Sequence, residues 1–234
     1  MSDGYSPDAT EEQKAVAQDL LDKIVDKNEK DTVIYSRYSE TSDRYDMVMV
    51  VCNYNGPKET AAVVAEYFPR DRENVRFLDV AAGTGLCAVE LRKYGFLKMD
   101  ALDASPGMLE EAKAKGLYDQ YIIDILGENT LDISTDTYDA VVMCGFSTEI
   151  LQRLPMTAFE ELIRIVKPGG YFINTGRKTM YTHDDGKAEQ LKKQLKTLEA
   201  NGKWKRVQMK HFKNYLKGAD GAVSVHVICK RYIA

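Results

Sequence analysis

The chain has 234 residues, 44% hydrophobic and 29% charged, with a net charge of −4. This is the balance of a water-soluble globular protein, long enough for one full-sized core and a helical appendage. No apolar run approaches the roughly 20 residues of a membrane span, and the start, Met-Ser-Asp-Gly-Tyr-Ser-Pro-Asp, has neither the basic nor the apolar segment of a secretory leader. A cytoplasmic protein without a membrane partner is the expectation. Cys52, Cys87, Cys144 and Cys229 lie far apart with no Cys-x-x-Cys spacing, which reads as reduced thiols and no metal site. Charge is unevenly spread. Residues 187–217 hold nine lysines and Arg206 against Glu189 and Glu199, a local +8 that leaves −12 elsewhere. Such a run serves as a solvated helix face or as a surface that steers an anionic partner.

In chain order, Thr10-Glu11-Glu12-Gln13 has the form of a capping box, followed by helical spacing at Val16, Leu20 and Ile24. A second helical pattern spans about 31–52 and is broken by Asn53–Pro57. Pro57 suits the first turn of a third helix that runs to about Phe68. From Val75 onward the pattern alternates. Strands are predicted at 75–80, 98–103, 120–124, 138–144, 170–175, 204–210 and 222–229, with helices near 85–94, 105–115, 155–166 and 187–200. Alternation of this kind builds βαβ units and a mostly parallel sheet. Only a loop, Lys213 to Gly221, separates the last two strands, so they should pair antiparallel.

The segment Val75 to Leu86 carries the chemistry. An apolar strand ending in Asp79 passes into the small-residue turn Ala81–Gly85, and a helix starts at Leu86. Open α/β sheets bind adenine-containing cofactors at such a place. Gly83 and Gly85 let the backbone turn sharply and a ligand lie close to it. Gly83-Thr-Gly-Leu-Cys-Ala88 also fits a Gly-x-Gly-x-x-Ala dinucleotide fingerprint, so an NAD-dependent oxidoreductase has to be weighed. Asp79 speaks against it, since a carboxylate there would repel a pyrophosphate. It suits a ligand with an ammonium or sulfonium group, and S-adenosylmethionine carries both.

The second strand ends in Asp103, 18 residues after Gly85, where a carboxylate can accept both ribose hydroxyls. In Ala104-Ser-Pro-Gly-Met108, Ser105 is a candidate N-cap, Pro106 sits at the first helical position, and Met108 can lie against adenine. Asp124 and Ile125 close the third strand, the acid placed for the adenine amino group and its neighbour for the ring. The fourth strand ends on the small residues Cys144 and Gly145, beside the expected sulfonium.

These segments resemble the class I S-adenosylmethionine-dependent methyltransferases over about residues 75–175. More narrowly, the chain is similar to the methyltransferase-like protein 27 (Williams–Beuren syndrome region 27) family. The similarity rests on Leu-Asp-Val-Ala-Ala-Gly-Thr-Gly-Leu (78–86), Gly-Phe-Leu (95–97), Asp-Ala-Ser-Pro-Gly-Met-Leu-Glu (103–110) and Gly-Leu-Tyr (116–118). It implies a Rossmann-like, seven-stranded, mostly parallel α/β sheet with an antiparallel last strand and helices on both faces. S-adenosylmethionine would be the cofactor and S-adenosylhomocysteine the product. Residues 1–70 would then form a helical lid and 71–234 the methyltransferase domain. The implied cofactor contacts are Tyr38, Tyr45, Asp79, Ala81, Gly83, Thr84, Gly85, Asp103, Ala104, Met108, Asp124, Ile125 and Cys144. Ala81 stands where such enzymes often have glycine, a tolerable change if φ stays negative there. Tyr38 and Tyr45, seven apart, would share a helix face, either over the methionine end of the cofactor or as an aromatic packing stripe.

Methyl transfer from a sulfonium needs orientation more than acid–base groups. No catalytic motif stands out. Glu149, Tyr181 and His183 follow strand ends on the cofactor side and are candidate substrate contacts. Met143-Cys-Gly-Phe146 lacks the Asn/Asp-Pro-Pro-Tyr that holds planar amino groups, and this, with the acidic balance, disfavours nucleic acid. A small-molecule acceptor, handled by a monomer or homodimer, is the first reading. A protein methyltransferase that docks an acidic partner on 187–217, and a non-catalytic cofactor-binding module, are the alternatives.

Overall fold

A computed structural model describes residues 4–24, 30–146, 148–151, 153–182 and 189–229. Among the described residues four α-helices precede the sheet. In α1 (Glu11–Ile24) the capping box forms as expected: Thr10 N donates to Gln13 Oε1 at 2.9 Å and Gln13 N to Thr10 Oγ1 at 3.2 Å. The pattern at 31–52 is not one helix but two, α2 (Asp31–Glu40) and α3 (Ser42–Val51). Thr41 breaks it. Its hydroxyl donates to the Arg37 carbonyl at 2.8 Å, and its φ of −117° departs from the helix. Asn53, at φ +51°, turns the chain into α4 (Gly56–Tyr67), with Pro57 in the first turn.

The sheet has seven strands: β1 (Arg76–Val80), β2 (Lys98–Asp103), β3 (Gln120–Ile123), β4 (Tyr138–Cys144), β5 (Val166–Arg177), β6 (Trp204–Leu216) and β7 (Ala219–Ile228). Their order is β3-β2-β1-β4-β5-β7-β6. The first five run parallel, while β7 is antiparallel to both β5 and β6. This is the expected Rossmann-like α/β sheet with one reversed last strand.

Two details differ from expectation. The supposed loop 213–221 is mostly strand, because β6 and β7 stay paired past a register shift at Phe212/Leu216 and turn only at Lys217-Gly218. Strand β5 also begins earlier, at Val166. Lys167–Gly170 is looped out between the pairs Tyr138↔Val166 and Ala140↔Tyr171, with Gly169 at φ +83°.

Helices α5 (Leu86–Lys93) and α6 (Pro106–Ala114) cover one face, and α8 (Met156–Ile165) and α10 (Glu189–Ala200) the other. Two short turns, α7 (Thr148–Leu151) and α9 (Thr179–Thr182), follow β4 and β5. Strand alternation divides the core accordingly. Phe77, Ala140, Val142 and Ile173 pack with Ala61, Val64, Ala88 and Leu91, whereas Leu78, Val141, Met143 and Phe172 pack with Phe159, Leu162, Leu191 and Trp204. α4, which the sequence groups with the N-terminal helices, therefore belongs to the sheet's own packing. α1 and α3 build a further small core on Ala17, Leu20, Val48 and Met49, against which Tyr38 of α2 packs.

His226 lies mid-strand in β7 and is 3% exposed, stacked on Trp204 with centroids 4.6 Å apart. Burial, with the Arg206 charge adding to it, pushes its pKa down to about 3. An unfolded histidine titrates near ~6.5. Below that pH the unfolded chain takes up a proton that the folded chain refuses, so stability must fall as pH drops from ~6.5 toward ~3. We expect His226→Phe to flatten this acid limb of the urea midpoint against pH. An unchanged slope would contradict the assignment.

Candidate active site

The strand order reverses between β1 and β4, because β2 and β3 lie on one side and β5 on the other. The connections diverge there, and a crevice opens at the carboxyl ends of the strands. A cleft partly open to solvent occupies this place. It is lined by Tyr38, Tyr45, Asp79, Ala81, Gly83, Thr84, Asp103, Ala104, Met108, Asp124 and Cys144. Eleven of the thirteen residues named from the sequence as cofactor contacts thus surround one space.

The turn after β1 is built from left-handed backbone. Ala81 has φ +54°, Gly83 +56° and Gly85 +85°. The condition of a negative φ at Ala81 is therefore not met: the turn demands a glycine-like conformation, and an alanine there costs roughly 1 kcal/mol. A Cβ on Gly83 would meet nothing within 4 Å, so this residue presents bare backbone to the open cleft. Gly85 is different. It caps α5 and faces the protein, where a Cβ would lie 2.6 Å from Leu117 Cδ1. Packing explains this glycine, and it does not line the cleft.

Asp103 joins the two loops that shape the nucleotide side. Its Oδ2 accepts from Gly83 N and its Oδ1 from Ser105 N, both at 2.8 Å. Each oxygen keeps acceptor capacity toward the cleft, as a pair of ribose hydroxyls requires. Burial raises its pKa while the backbone N–H groups oppose the rise. Ser105 caps α6 as expected, accepting from Met108 N at 3.3 Å, and Met108 is buried in the cleft wall. Asp124 Oδ1 accepts from Ile125 N at 2.7 Å and from Asn129 Nδ2 at 3.3 Å. Ile125 itself contributes that amide but does not line the cleft.

Asp79 is 1% exposed, and its Oδ2 accepts from Tyr118 OH at 2.7 Å. Burial pushes its pKa up to about 7, against the Tyr118 hydrogen bond, and the Asp103 charge adds to the rise. Tyr118 belongs to the Gly-Leu-Tyr segment, whose role the sequence did not disclose. Cys144 Sγ lies 3.3 Å from Thr60 Oγ1 and 3.5 Å from Tyr54 OH. No disulfide links the four cysteines.

The N-terminal helices reach over these loops. Tyr38 on α2 and Tyr45 on α3 do not share one helix face, since the helix is broken between them, yet their ring centroids are 6.2 Å apart. Asp46 accepts from Thr84 Oγ1 and from Lys115 Nζ, and Lys115 also donates to the Thr84 carbonyl at 2.7 Å. Ser39 Oγ lies 2.7 Å from Ser105 Oγ and accepts from Gly107 N at 3.3 Å. A Cβ on Gly107 would sit 2.7 Å from the Ser39 carbonyl oxygen. α2 and α3 thus rest on the glycine turn and on the start of α6.

Of the candidate substrate contacts, Tyr181 donates to the Asn174 carbonyl at 3.3 Å and packs against the core beside β5, outside the cleft lining. The side chain of Glu149 and all of His183 lie outside the described residues. Sequence reasoning missed Tyr35, Tyr54, Phe146 and Ile150, which also line the cleft. None stands in a recognisable pattern.

The residues present fit S-adenosylmethionine. The Asp103 carboxylate lines the cleft where a diol could reach it, bare backbone faces the cleft at Gly83, and no Lys, Arg or His stands among the described lining residues to compete with a cationic ligand. Comparison with known proteins agrees. The family described as Methyltransferase domain matches residues 77–170. Human (Homo sapiens) methyltransferase-like protein 27 is 35% identical over 167 residues, 71% of this chain and 66% of that protein, so the chain spans just under two thirds of that relative's length. Among solved structures, the putative methyltransferase complexed with the Haloferax volcanii Trm112 methyltransferase activator aligns with TM-score 0.62 and 17% identity, over 83% of this chain and 97% of that one. Burkholderia thailandensis 1,6-didemethyltoxoflavin-N1-methyltransferase, solved with its substrate and S-adenosylhomocysteine, aligns with TM-score 0.59 and 14% identity, over 96% and 93% of the two chains. At these identities the structural matches speak to the fold. Strand order, the matched domain and the similarity to methyltransferase-like protein 27 together place this chain in the S-adenosylmethionine-dependent methyltransferase family.

Proposed function

We propose that the protein methylates a small-molecule acceptor inside this cleft, with α1–α3 acting as its lid. The observation that carries the reading is the contact of α2 and α3 with both cofactor-side loops, through Ser39–Ser105 and Asp46–Thr84–Lys115. A cleft roofed in this way suits an acceptor small enough to be enclosed.

In this reading Asp103 accepts the ribose hydroxyls, Met108 lies along adenine, and Asp124 receives the adenine amino group. Asp79 faces the cationic methionine end, while Ala81, Gly83, Thr84 and Ala104 form the backbone floor. When bound, S-adenosylmethionine supplies a methyl group already activated on a sulfonium. The chain's own part is to hold the acceptor in line and exclude water. Four free cysteines fit a reducing, cytoplasmic setting. No helix among the described residues is long and apolar enough to cross a membrane.

The protein-methylation alternative draws less support. Part of the lysine-rich run is neutralised within the fold: Lys210 lies 3.7 Å from Glu59 and 3.5 Å from Glu66, and Lys213 lies 2.7 Å from Asp220. The strand that carries these lysines, β6, is an edge strand separated from β4 by β5 and β7.

Two outcomes follow. Because Asp79 titrates near 7 before a cation arrives, a cationic ligand favours its ionised form. Affinity for S-adenosylmethionine should fall as pH drops below 7, by up to ~10-fold per unit. Calorimetry between pH 6 and 8 should show proton release on binding to the wild type and a flat profile for Asp79→Asn. Equal pH dependence in both would remove Asp79 from the site. Second, Asp46→Ala should speed dissociation of S-adenosylhomocysteine at least ~5-fold while costing about 1 kcal/mol or less in stability. An unchanged off-rate in stopped-flow would contradict the lid.

A further inference from the structure

At the β4 end of the cleft the lining changes from carboxylates to rings. Tyr38 and Tyr45 stand 6.2 Å apart, with their planes at 59°. Tyr54 reaches over from the α3–α4 connection to Cys144 and lies so close to Gly145 that a Cβ there would be 2.2 Å from its hydroxyl. Tyr215, from the end of β6, braces Tyr54 edge-on at 5.3 Å. Burial holds Tyr45, Tyr54 and Tyr215 as neutral phenols, with pKa values above the usual tyrosine range. The rings therefore offer π faces and hydroxyl oxygens but no formal charge.

The charges around them have one sign. Asp79, Asp103 and Asp124 line the cleft, and among the described lining residues there is no Lys, Arg or His. The cation that approaches the glycine turn, Lys115, is held by Asp46 and the Thr84 carbonyl. An anionic acceptor would find no positive side chain among the described lining residues and would have the sulfonium alone to offset the loss of its water. An amine, and the ammonium it becomes on methylation, meets what these rings offer, π faces and hydroxyl oxygens.

We propose that the acceptor is a small amine, methylated at nitrogen within this group of tyrosines. The proposal rests on the methyltransferase reading above and names its substrate class. The amine binds as the free base, since a sulfonium beside it disfavours a second positive charge, and its proton goes to solvent on entry. The nitrogen lone pair forms the new N–C bond while the C–S bond breaks with its electron pair on sulfur. The product is an ammonium and a thioether. One positive charge stands among the rings before the step and one after it, so the tyrosines serve reactants, transition state and product without rearrangement. A product that still carries an N–H loses that proton to water on release.

The test uses the full chain saturated with S-adenosylhomocysteine and titrated by calorimetry with choline or with 3,3-dimethylbutan-1-ol, its uncharged isostere. We expect choline to bind at least ~10-fold more tightly. Tyr45→Phe and Tyr54→Phe should keep that preference, and Tyr45→Leu and Tyr54→Leu should lose most of it. A parallel incubation with labelled S-adenosylmethionine should label primary and secondary amines and leave carboxylates, phenols and thiols unlabelled. Equal binding of the two probes, binding of neither, or transfer to oxygen or sulfur overturns the proposal. Binding of S-adenosylhomocysteine in the first titration is read separately. If it is absent, the cofactor site itself is wrong. If it is present without a choline preference, only the amine assignment fails.

Discussion

The cleft depends on the carboxylate of Asp103. It ends β2, yet its two oxygens are held by amides of two different turns, Gly83 after β1 and Ser105 before α6. One side chain thereby fixes the spacing of the two loops at this end of the cleft. Each charge-assisted bond of this kind is among the stronger hydrogen bonds in a protein. The same two turns carry the N-terminal helices, through Thr84 to Asp46 and through Ser105 to Ser39. A shift at Asp103 would move both turns and the helices that rest on them.

Asp79 shows the cost of such a site. A carboxylate that is 1% exposed, with one tyrosine hydroxyl for company and a second carboxylate nearby, lowers stability at neutral pH, because its folded pKa is raised to about 7. Stability from this group is lost as pH rises from ~4 toward 7. A positively charged ligand beside it would reverse the balance and turn that cost into affinity. Ala81 adds a smaller strain at φ +54°. Both lie on the turn after β1, where function and stability compete most directly.

Much of this was legible in the sequence, because it is local. Strand-end acids, a small-residue turn and Ser-Pro-Gly-Met each have a reason to be where they are within a few residues, and eleven of the residues named from them and from the tyrosines upstream line one cleft. What escaped depends on partners far along the chain. Asp46 reaches Thr84 across 38 positions and Tyr118 reaches Asp79 across 39. Tyr54 has no local signature. It matters because Gly145, just after β4, lets the ring approach. The break at Thr41 was hidden because a threonine in a helical pattern is ordinary until its hydroxyl takes the Arg37 carbonyl. The length of the β6–β7 hairpin was hidden because pairing carries both strands past a register shift. Gly85 looked like its neighbour Gly83, and only packing against Leu117 separates their roles.

The most direct test of the account is a calorimetric titration of S-adenosylhomocysteine into the wild type and into Asp103→Ala, with NAD as the control ligand. The account predicts binding to the wild type, a loss of at least ~10-fold in Asp103→Ala, and no binding of NAD. Equal affinity in the two proteins, or binding of NAD, would contradict it.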